Sequence, residues 1–470
     1  MKSQMMALSL ILVFLGAGCR SKGTLNNELK IAVPQKWNAG VGNTNSVSGQ
    51  WWLQFQDPKL SALVQEALTN NLDLRVAAKR LELAQIQARI ADYSARPKFA
   101  ASLNAEKRQS NFIGMPFGSG GVIRSRTKSF ASNLSLNWEL DLWGRIRHAQ
   151  DAVELDAYAV KLDNAAAAHS LISQVVKGWF SLGEAGMLIK FMEEQVELAK
   201  LTQKQVEIRY MLGKATASEL KRAQANLAYY QFRLSQILDS IVRYSRALEL
   251  ILGRHVGHKS LGTPELSDSL GDVPVGLPSG VLRRRPDIAA SITRVMAARA
   301  RIDEGKAGLL PSLSLTGSAG TSSNQLKDLL DGNFLSWALG SSITQNILLA
   351  DERKARVRER EVNEERALLE HRAIVLKALN EVEQALEAGI YLARQQEEIL
   401  ATARRYDELI SLSKQRYARG VGSLGELLEA QRLHVESRMD WVRLKKQQID
   451  NRVNLHLALG GGFEPERGEK

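Results

Sequence analysis

Three places in this 470-residue sequence carry residue types that could do chemistry. They are Cys19, the pair His255 and His258, and the acids and arginine-tyrosine pair that bracket RYARGVGSLGELLE (416–429). Each can be tested against the chemistry it would need. A cysteine can be a nucleophile, a metal ligand, half of a disulfide or an acylation site. With a single cysteine in the chain, an internal disulfide and a thiolate cluster are both excluded. Its setting points to acylation. Met1-Lys2 opens a short positive start, Ala7 to Leu15 is apolar, and Gly16-Ala17-Gly18 are small, as in a secretory signal whose cleavage exposes Cys19. Gly16 stands where such signals usually carry leucine, with Leu15 one place further out. Arg20, rather than aspartate, follows the cysteine, so outer-membrane delivery is expected. His255 and His258 form an HxxH in a glycine-rich segment without carboxylates or cysteines placed to complete a metal site, and read as a surface loop. Neither a nucleophile elbow nor a phosphate-binding loop occurs in the sequence. An enzyme is therefore not expected, and no cofactor, metal or catalytic residue is assigned. What remains is the cluster around 416–429, whose charged residues and tyrosine flank a glycine-rich turn.

The elements that must position that cluster follow from a repeat. NNLDLRVAAKRLELAQIQARIADYSARPKFAASL (70–103) aligns with RRPDIAASITRVMAARARIDEGKAGLLPSLSL (284–315), placing Asp73 on Asp287 and Pro97 on Pro311 without a gap. RYMLGKATASELKRAQANL (209–227) aligns in turn with RYARGVGSLGELLEAQRLH (416–434). The chain is a tandem duplication. Its expected organisation is a signal peptide (1–18), a lipid-anchored N-terminal extension (19–50), a first repeat (51–254), an equatorial linker rich in Gly and Pro (255–283), a second repeat (284–460) and a tail (461–470). Proline is missing from Phe117 to Thr263 and from Ser312 to Glu464. The pattern predicts helices at 71–96, 145–210 and 216–254 with strands at 99–108 and 128–140. The second half gives helices at 285–309, 350–416 and 424–459 with strands at 312–321 and 334–347. A helix at 145–210 would be roughly 100 Å long at 1.5 Å per residue. The two shorter helices of that half sum to nearly the same length, so they should stack end to end beside it as a coiled coil. Leu171, Val175, Trp179 and Leu182 are spaced for the seam.

The strands have a distinctive pattern. In SFASNLSLNWEL, Phe130, Ser132, Leu134, Leu136 and Trp138 alternate with Ala131, Asn133, Ser135 and Asn137. Trp337, Leu339, Ser341 and Ile343 alternate with Ala338, Gly340, Ser342 and Thr344. One face suits lipid and the other a wet lumen, and the lengths match tilted membrane-spanning strands. Four strands cannot close a barrel with a lumen, so several chains must share one; three would supply twelve strands. The strand-to-helix passage at Leu142-Trp143-Gly144 then carries one wall out of the bilayer. The formal net charge of +12 is spread along helices among acids. Arg283-Arg284-Arg285 is its only tight cluster, so no nucleic-acid partner is expected.

With WWLQFQDPKLSALVQEALTNNLDL (51–74), WELDLWGRIR (138–147), LRRRPDI (282–288), GLLPSLSLTGSAG (308–320) and the paired RY…G…EL turns, the sequence resembles the TolC-type outer-membrane efflux family, in its lipid-anchored multidrug (OprM/NodT-like) branch. The resemblance covers nearly the whole mature chain. It implies a homotrimeric 12-stranded β-barrel in outer-membrane lipid, continued by an α-helical periplasmic tunnel. It also implies a periplasmic adaptor, an inner-membrane pump of the resistance-nodulation-division type, and passive conduction of drugs or other toxic compounds. An exit channel for type I protein secretion is the alternative, and a purely structural lipid-tethered coiled coil a third reading. The family's second strand-to-helix junction usually carries a Pro and a Gly pair, whereas here it reads QNILLADER (345–353). Carried over position by position, the resemblance makes Arg416 and Tyr417 latches of the periplasmic gate through hydrogen bonds or ion pairs, and points Glu426 and Glu429 at the pore axis. Gly213 and Lys214 in the first turn, and Gly420, Val421, Gly422 and Ser423 in the second, become the tip that an adaptor approaches.

Overall fold

The computed structural model describes residues 34–38, 49–112, 123–255, 257, 261–266, 273, 276, 278–345 and 350–461. Cys19, His258 and residues 346–349 of the second junction lie outside them. The described chain runs α1 (Pro58–Asn70), α2 (Leu72–Asp92), β1 (Lys98–Phe112), β2 (Ile123–Leu140), α3 (Arg145–Met211), α4 (Ala217–Ile251), α5 (Pro278–Arg284), α6 (Pro286–Ala307), β3 (Ser312–Ser323), β4 (Leu335–Thr344), α7 (Ala350–Ala418) and α8 (Leu424–Ala458). The order of elements is mainly the expected one. The expectation lacked α1, which starts at Pro58 with Asp57 as its cap, the carboxylate accepting from Lys59 N (2.8 Å) and Leu60 N (3.1 Å). Among the described residues, no helix is long and apolar enough to cross a membrane.

Each long helix packs against the two shorter ones of its own half, α3 against α2 and α4, and α7 against α6 and α8. The halves are then joined because α3 also packs on α6 and α8. The seam residues Leu171, Val175, Trp179 and Leu182 are all buried. The same core continues through Trp51, Leu60, Val64, Leu248 and Ile449. Trp51 stacks on His456 with ring centroids 5.0 Å apart, and Trp179 Nε1 donates to Asp57 Oδ2 (2.7 Å). Part of the linker lies against this girdle. A Cβ on Gly183 or Gly186 would strike Pro264 or Thr263, so α3 needs glycine where the linker crosses it.

The four strands form one antiparallel sheet in the order β1-β2-β3-β4. Its register puts the apolar residues in rows on one face. These rows are Leu140–Leu313–Ile343, Trp138–Leu315–Ser341, Phe99–Leu136–Gly317–Leu339, Ala101–Leu134–Ala319–Trp337, Leu103–Ser132–Thr321–Leu335 and Ala105–Phe130–Ser323. The opposite face carries Ser102, Asn104, Asn133, Ser135, Asn137, Ser314, Thr316, Ser318, Ser336, Gly340 and Ser342. The period-two reading of the sequence thus holds between Leu140 and Phe130. Among the described residues, the outer edges of β1 and β4 have no strand beside them.

The first strand-to-helix passage is built by its own charges. Gly144 takes φ 77°, in the left-handed region, and turns the chain out of β2. Asp141 then accepts from Ile146 N (3.0 Å) and Arg147 N (2.8 Å), capping α3 from the strand side. Arg145 forks onto Glu139 at 2.8 Å, tying the first turn of the helix to the last residues of the strand. Trp143 Nε1 donates to Pro311 O (2.7 Å), holding this corner against the start of β3. Near the second junction, Gln345 donates to Leu309 O (3.1 Å) and Arg353 to Gly308 O (3.0 Å).

Candidate functional site: the helical tip

The end of the helical body opposite the sheet consists of two turns, one between α3 and α4 and one between α7 and α8. They are built alike. Gly213 (φ 71°) and Gly420 (φ 77°) end the long helices in the left-handed conformation. Lys214 N then donates back to Arg209 O (2.7 Å), and Val421 N to Arg416 O (3.1 Å). Each return helix is capped by a hydroxyl. Thr216 Oγ1 accepts from Glu219 N (3.2 Å), and Ser423 Oγ from Glu426 N (3.1 Å).

The side chains break this symmetry. Tyr417 is buried (7 % exposed), whereas its counterpart Tyr210 is 44 % exposed. Tyr417 packs with Val206, Ala223, Leu424 and Leu427, residues of all four tip helices, so the two turns share one small core. Arg209 Cζ lies 4.8 Å from the centroid of the Tyr417 ring, a cation–π contact between the halves. The Tyr417 hydroxyl is buried without a hydrogen-bond partner among the described residues, and burial raises its pKa above the usual tyrosine value. Tyr417 engages through its ring, and its partner is Arg209. Sequence reasoning missed Arg209, although its place opposite Arg416 in the repeat was the available signal.

Arg416 reaches across its own turn to Glu426 at 3.8 Å, with both side chains about half exposed. Glu429 lies one helical turn further on and pairs with Arg432 (2.6 Å), which also binds Glu436 (2.7 Å). The hydrogen bond from Arg432 holds the Glu429 carboxyl below the usual range. The two acids share an exposed face, each with an arginine beside it. At the extreme end, Gly213, Lys214, Gly420 and Val421 are exposed, and Ser423 is exposed apart from its capping bond. Gly422 sits against the preceding helix, where a Cβ would come 2.9 Å from Arg416 Cβ, so the second turn closes only around glycine.

His255 is exposed, and among the described residues no group of three His, Cys, Asp or Glu could hold a metal ion. In the Arg283–Arg285 run, Arg285 is a buried brace. It forks onto Asp287 (2.7 and 3.0 Å) and reaches Glu381 (2.5 Å) and Ala458 O (3.3 Å).

A family profile described as outer membrane efflux protein matches residues 63–254 and 277–461, that is, both copies of the repeat. The chain belongs to the outer membrane efflux protein family. The efflux-protein match is supported along nearly the full length. The cation efflux system protein CusC of Escherichia coli is 28% identical over 443 residues, 92% of this chain and 93% of that protein. The probable outer membrane lipoprotein SilC of Salmonella typhimurium is 26% identical over 470 residues, 97% of this chain and 98% of that one. The solved Campylobacter jejuni CmeC outer membrane channel superposes with a TM-score of 0.86 at 28% identity, covering 95% of this chain and 93% of that structure. This efflux protein is thus an outer-membrane component with the TolC-like combination of a strand sheet and long helices.

Proposed function

We propose that the chain is one subunit of a homotrimeric exit duct, in which three sheets close a barrel in the outer membrane and the helices form a tunnel ending at the tip. The observation that carries this reading is the sheet itself. Between Leu140 and Phe130 one face of the sheet is mainly apolar and the other small and polar, and among the described residues neither outer edge has a strand beside it. A membrane leaves no water to satisfy edge N–H and C=O groups, so the edges of β1 and β4 must meet those of other copies. The exposed turns at Gly213-Lys214 and Gly420-Val421 suit a periplasmic adaptor that links the duct to an inner-membrane pump of the resistance-nodulation-division type. Their small residues let a partner approach the backbone closely. Arg416, Tyr417, Glu426 and Glu429 form the gate around this end, with Glu426 and Glu429 facing the tunnel axis. Cys19 carries a lipid, a reading that the name of SilC, an outer membrane lipoprotein, supports. The cargo follows the pump; CusC is named for cation efflux.

The test is purification in mild detergent followed by insertion into planar bilayers. The expected particle has the mass of three protomers and forms conducting pores. A monodisperse monomer without channel activity sinks the shared barrel. Labelled palmitate should enter the wild-type chain and not Cys19→Ser.

A further inference from the structure

Beyond the last apolar row, the β1–β2 hairpin continues alone, and its lipid-side face changes character. The rows there are Lys107–Lys128, Gln109–Arg126 and Asn111–Arg124. Four cations, Lys107, Lys128, Arg126 and Arg124, follow one another on this face, and all are exposed. Lys107 stands directly opposite Lys128 in the register, an arrangement that is unfavourable for the hairpin alone. Glu106, the carboxylate of β1, pairs with Ser129 on the opposite face. Asp328, beyond the neighbouring β3, is bonded to Ser323 Oγ (2.6 Å), and Asp331 accepts from Asn333 N (2.9 Å). Among the described residues, no carboxylate forms an ion pair with any of the four cations. Arg126 Nε is held by Gln109 Oε1 (2.8 Å), which orients the guanidinium without neutralising it.

The height of this patch follows from the strand geometry. The apolar rows run from Leu140 to Phe130 along β2, ten residues apart. At about 3.4 Å per residue that is roughly 34 Å of strand, or roughly 25 Å of height at a tilt near 40°, the thickness of the apolar band of a membrane barrel. The opposite end of the band carries Trp138, and Trp143 follows just past the strand, their indole N–H groups bonded to Ala95 O and Pro311 O. Row Lys107–Lys128 therefore emerges at headgroup level on the side away from the helices, which in the duct is the outer leaflet.

We propose that the lipid-facing side of the β1–β2 hairpin is a binding site for the phosphate groups of an anionic lipid headgroup in the outer leaflet, with Lys107, Lys128, Arg126 and Arg124 as its donors. This inference rests on the reading that the apolar face of the sheet meets lipid. A phosphate between Lys107 and Lys128 turns the opposed pair from a repulsion into a bridge. Arg126, one row further out, offers a guanidinium for a second phosphate. β3 and β4 end below that height, so the rows beyond Phe130 belong to the hairpin alone. One lipid per subunit is the expected stoichiometry.

The test uses the purified trimer in nonionic detergent and native mass spectrometry to count bound lipid. The probe is hexa-acylated lipid A with both phosphates, compared with the same lipid dephosphorylated and with inorganic phosphate. Wild-type protein should retain up to three copies of the phosphorylated lipid. The dephosphorylated form should bind far less, and inorganic phosphate at matched concentration should not displace the lipid. Lys128→Glu should weaken lipid binding by about tenfold or more. The same variant should melt at or above the wild-type temperature without lipid, because Lys107 gains an opposite charge across the strand. Lys107→Gln with Lys128→Gln should lose binding in the same way, and Arg108→Gln, on the lumen side, should not. Equal retention of the dephosphorylated lipid, displacement by inorganic phosphate, or unchanged binding by both lysine variants would each overturn the proposal. Failure of the barrel reading has a different signature, since the wild-type protein would then form no trimer.

Discussion

At the scale of single residues, the tip and the girdle make opposite uses of burial. At the tip, the buried ring of Tyr417 holds the two turns together, and its hydroxyl adds no bond among the described residues. Tyr417→Phe should therefore leave single-channel conductance close to wild type. Tyr417→Ala removes the ring from a core shared by four helices, a change that typically costs about 3–5 kcal/mol when buried, and should raise conductance as the tip relaxes. Arg209→Ala deletes a cation–π contact worth about 0.5–2 kcal/mol and should give a smaller rise in the same direction. The exposed Arg416–Glu426 pair is worth little by comparison, so Arg416→Ser alone should change conductance less than Arg209→Ala. A large effect of Tyr417→Phe would return the latch to the hydroxyl. In the girdle, His456 is fully buried, stacked on Trp51, with both ring nitrogens lacking hydrogen-bond partners among the described residues. Burial pushes its pKa from the ordinary 6.5 down to about 3. The unfolded chain then binds the proton that the folded chain refuses between those values. The contribution is complete above pH 6.5 and is lost as pH falls toward 3. At pH 5 the loss is about 2 kcal/mol, so melting curves between pH 7 and 5 should show a drop that His456→Phe removes. A pH-independent wild-type curve would show that the ring is not kept neutral.

At the scale of elements, the strands and long helices were legible because each is specified by its own period. Phe130 to Trp138 alternate, and the observed register keeps that alternation in line with β1 and β3. The seam from Leu171 to Leu182 repeats at helical spacing and is buried where expected. Other features follow from contacts between distant segments, which no local period records. The stretch that forms α1 carries a recognisable motif but no legible element of its own, since the apolar positions Leu60, Val64 and Ala67 acquire their role only against α3. The burial of Tyr417 and exposure of Tyr210 could not be read from equivalent motifs, because the repeats lie in different surroundings at the tip. His456 is of the same kind, an ionisable residue made part of the core by a tryptophan four hundred positions away in sequence. The first strand-to-helix junction was anticipated in place but not in construction. There the decisive group is Asp141, which accepts from two N–H groups of the first turn of α3. Asp141→Ala should cost about 1–2 kcal/mol and lower the melting temperature without changing the trimer mass. Asp141→Asn should restore part of the loss, since an amide oxygen can still accept. Equal melting of wild type and Asp141→Ala would show that the wall turns without this cap.

At the scale of the whole molecule, duplication has produced a subunit with two halves but one sheet, because β2 of the first half pairs directly with β3 of the second. The consequence is that the two free edges are different strands. Closure must join β1 of one copy to β4 of the next, a head-to-tail contact that forms a ring only when the rotation between copies is right. Such an interface has the genetics of a chain reaction. A copy with an intact β1 edge and a blocked β4 edge can still join a growing assembly and stop it there. Co-expressed with the normal gene, such a variant should be dominant, and the yield of functional ducts should fall with the cube of the normal fraction rather than in proportion to it.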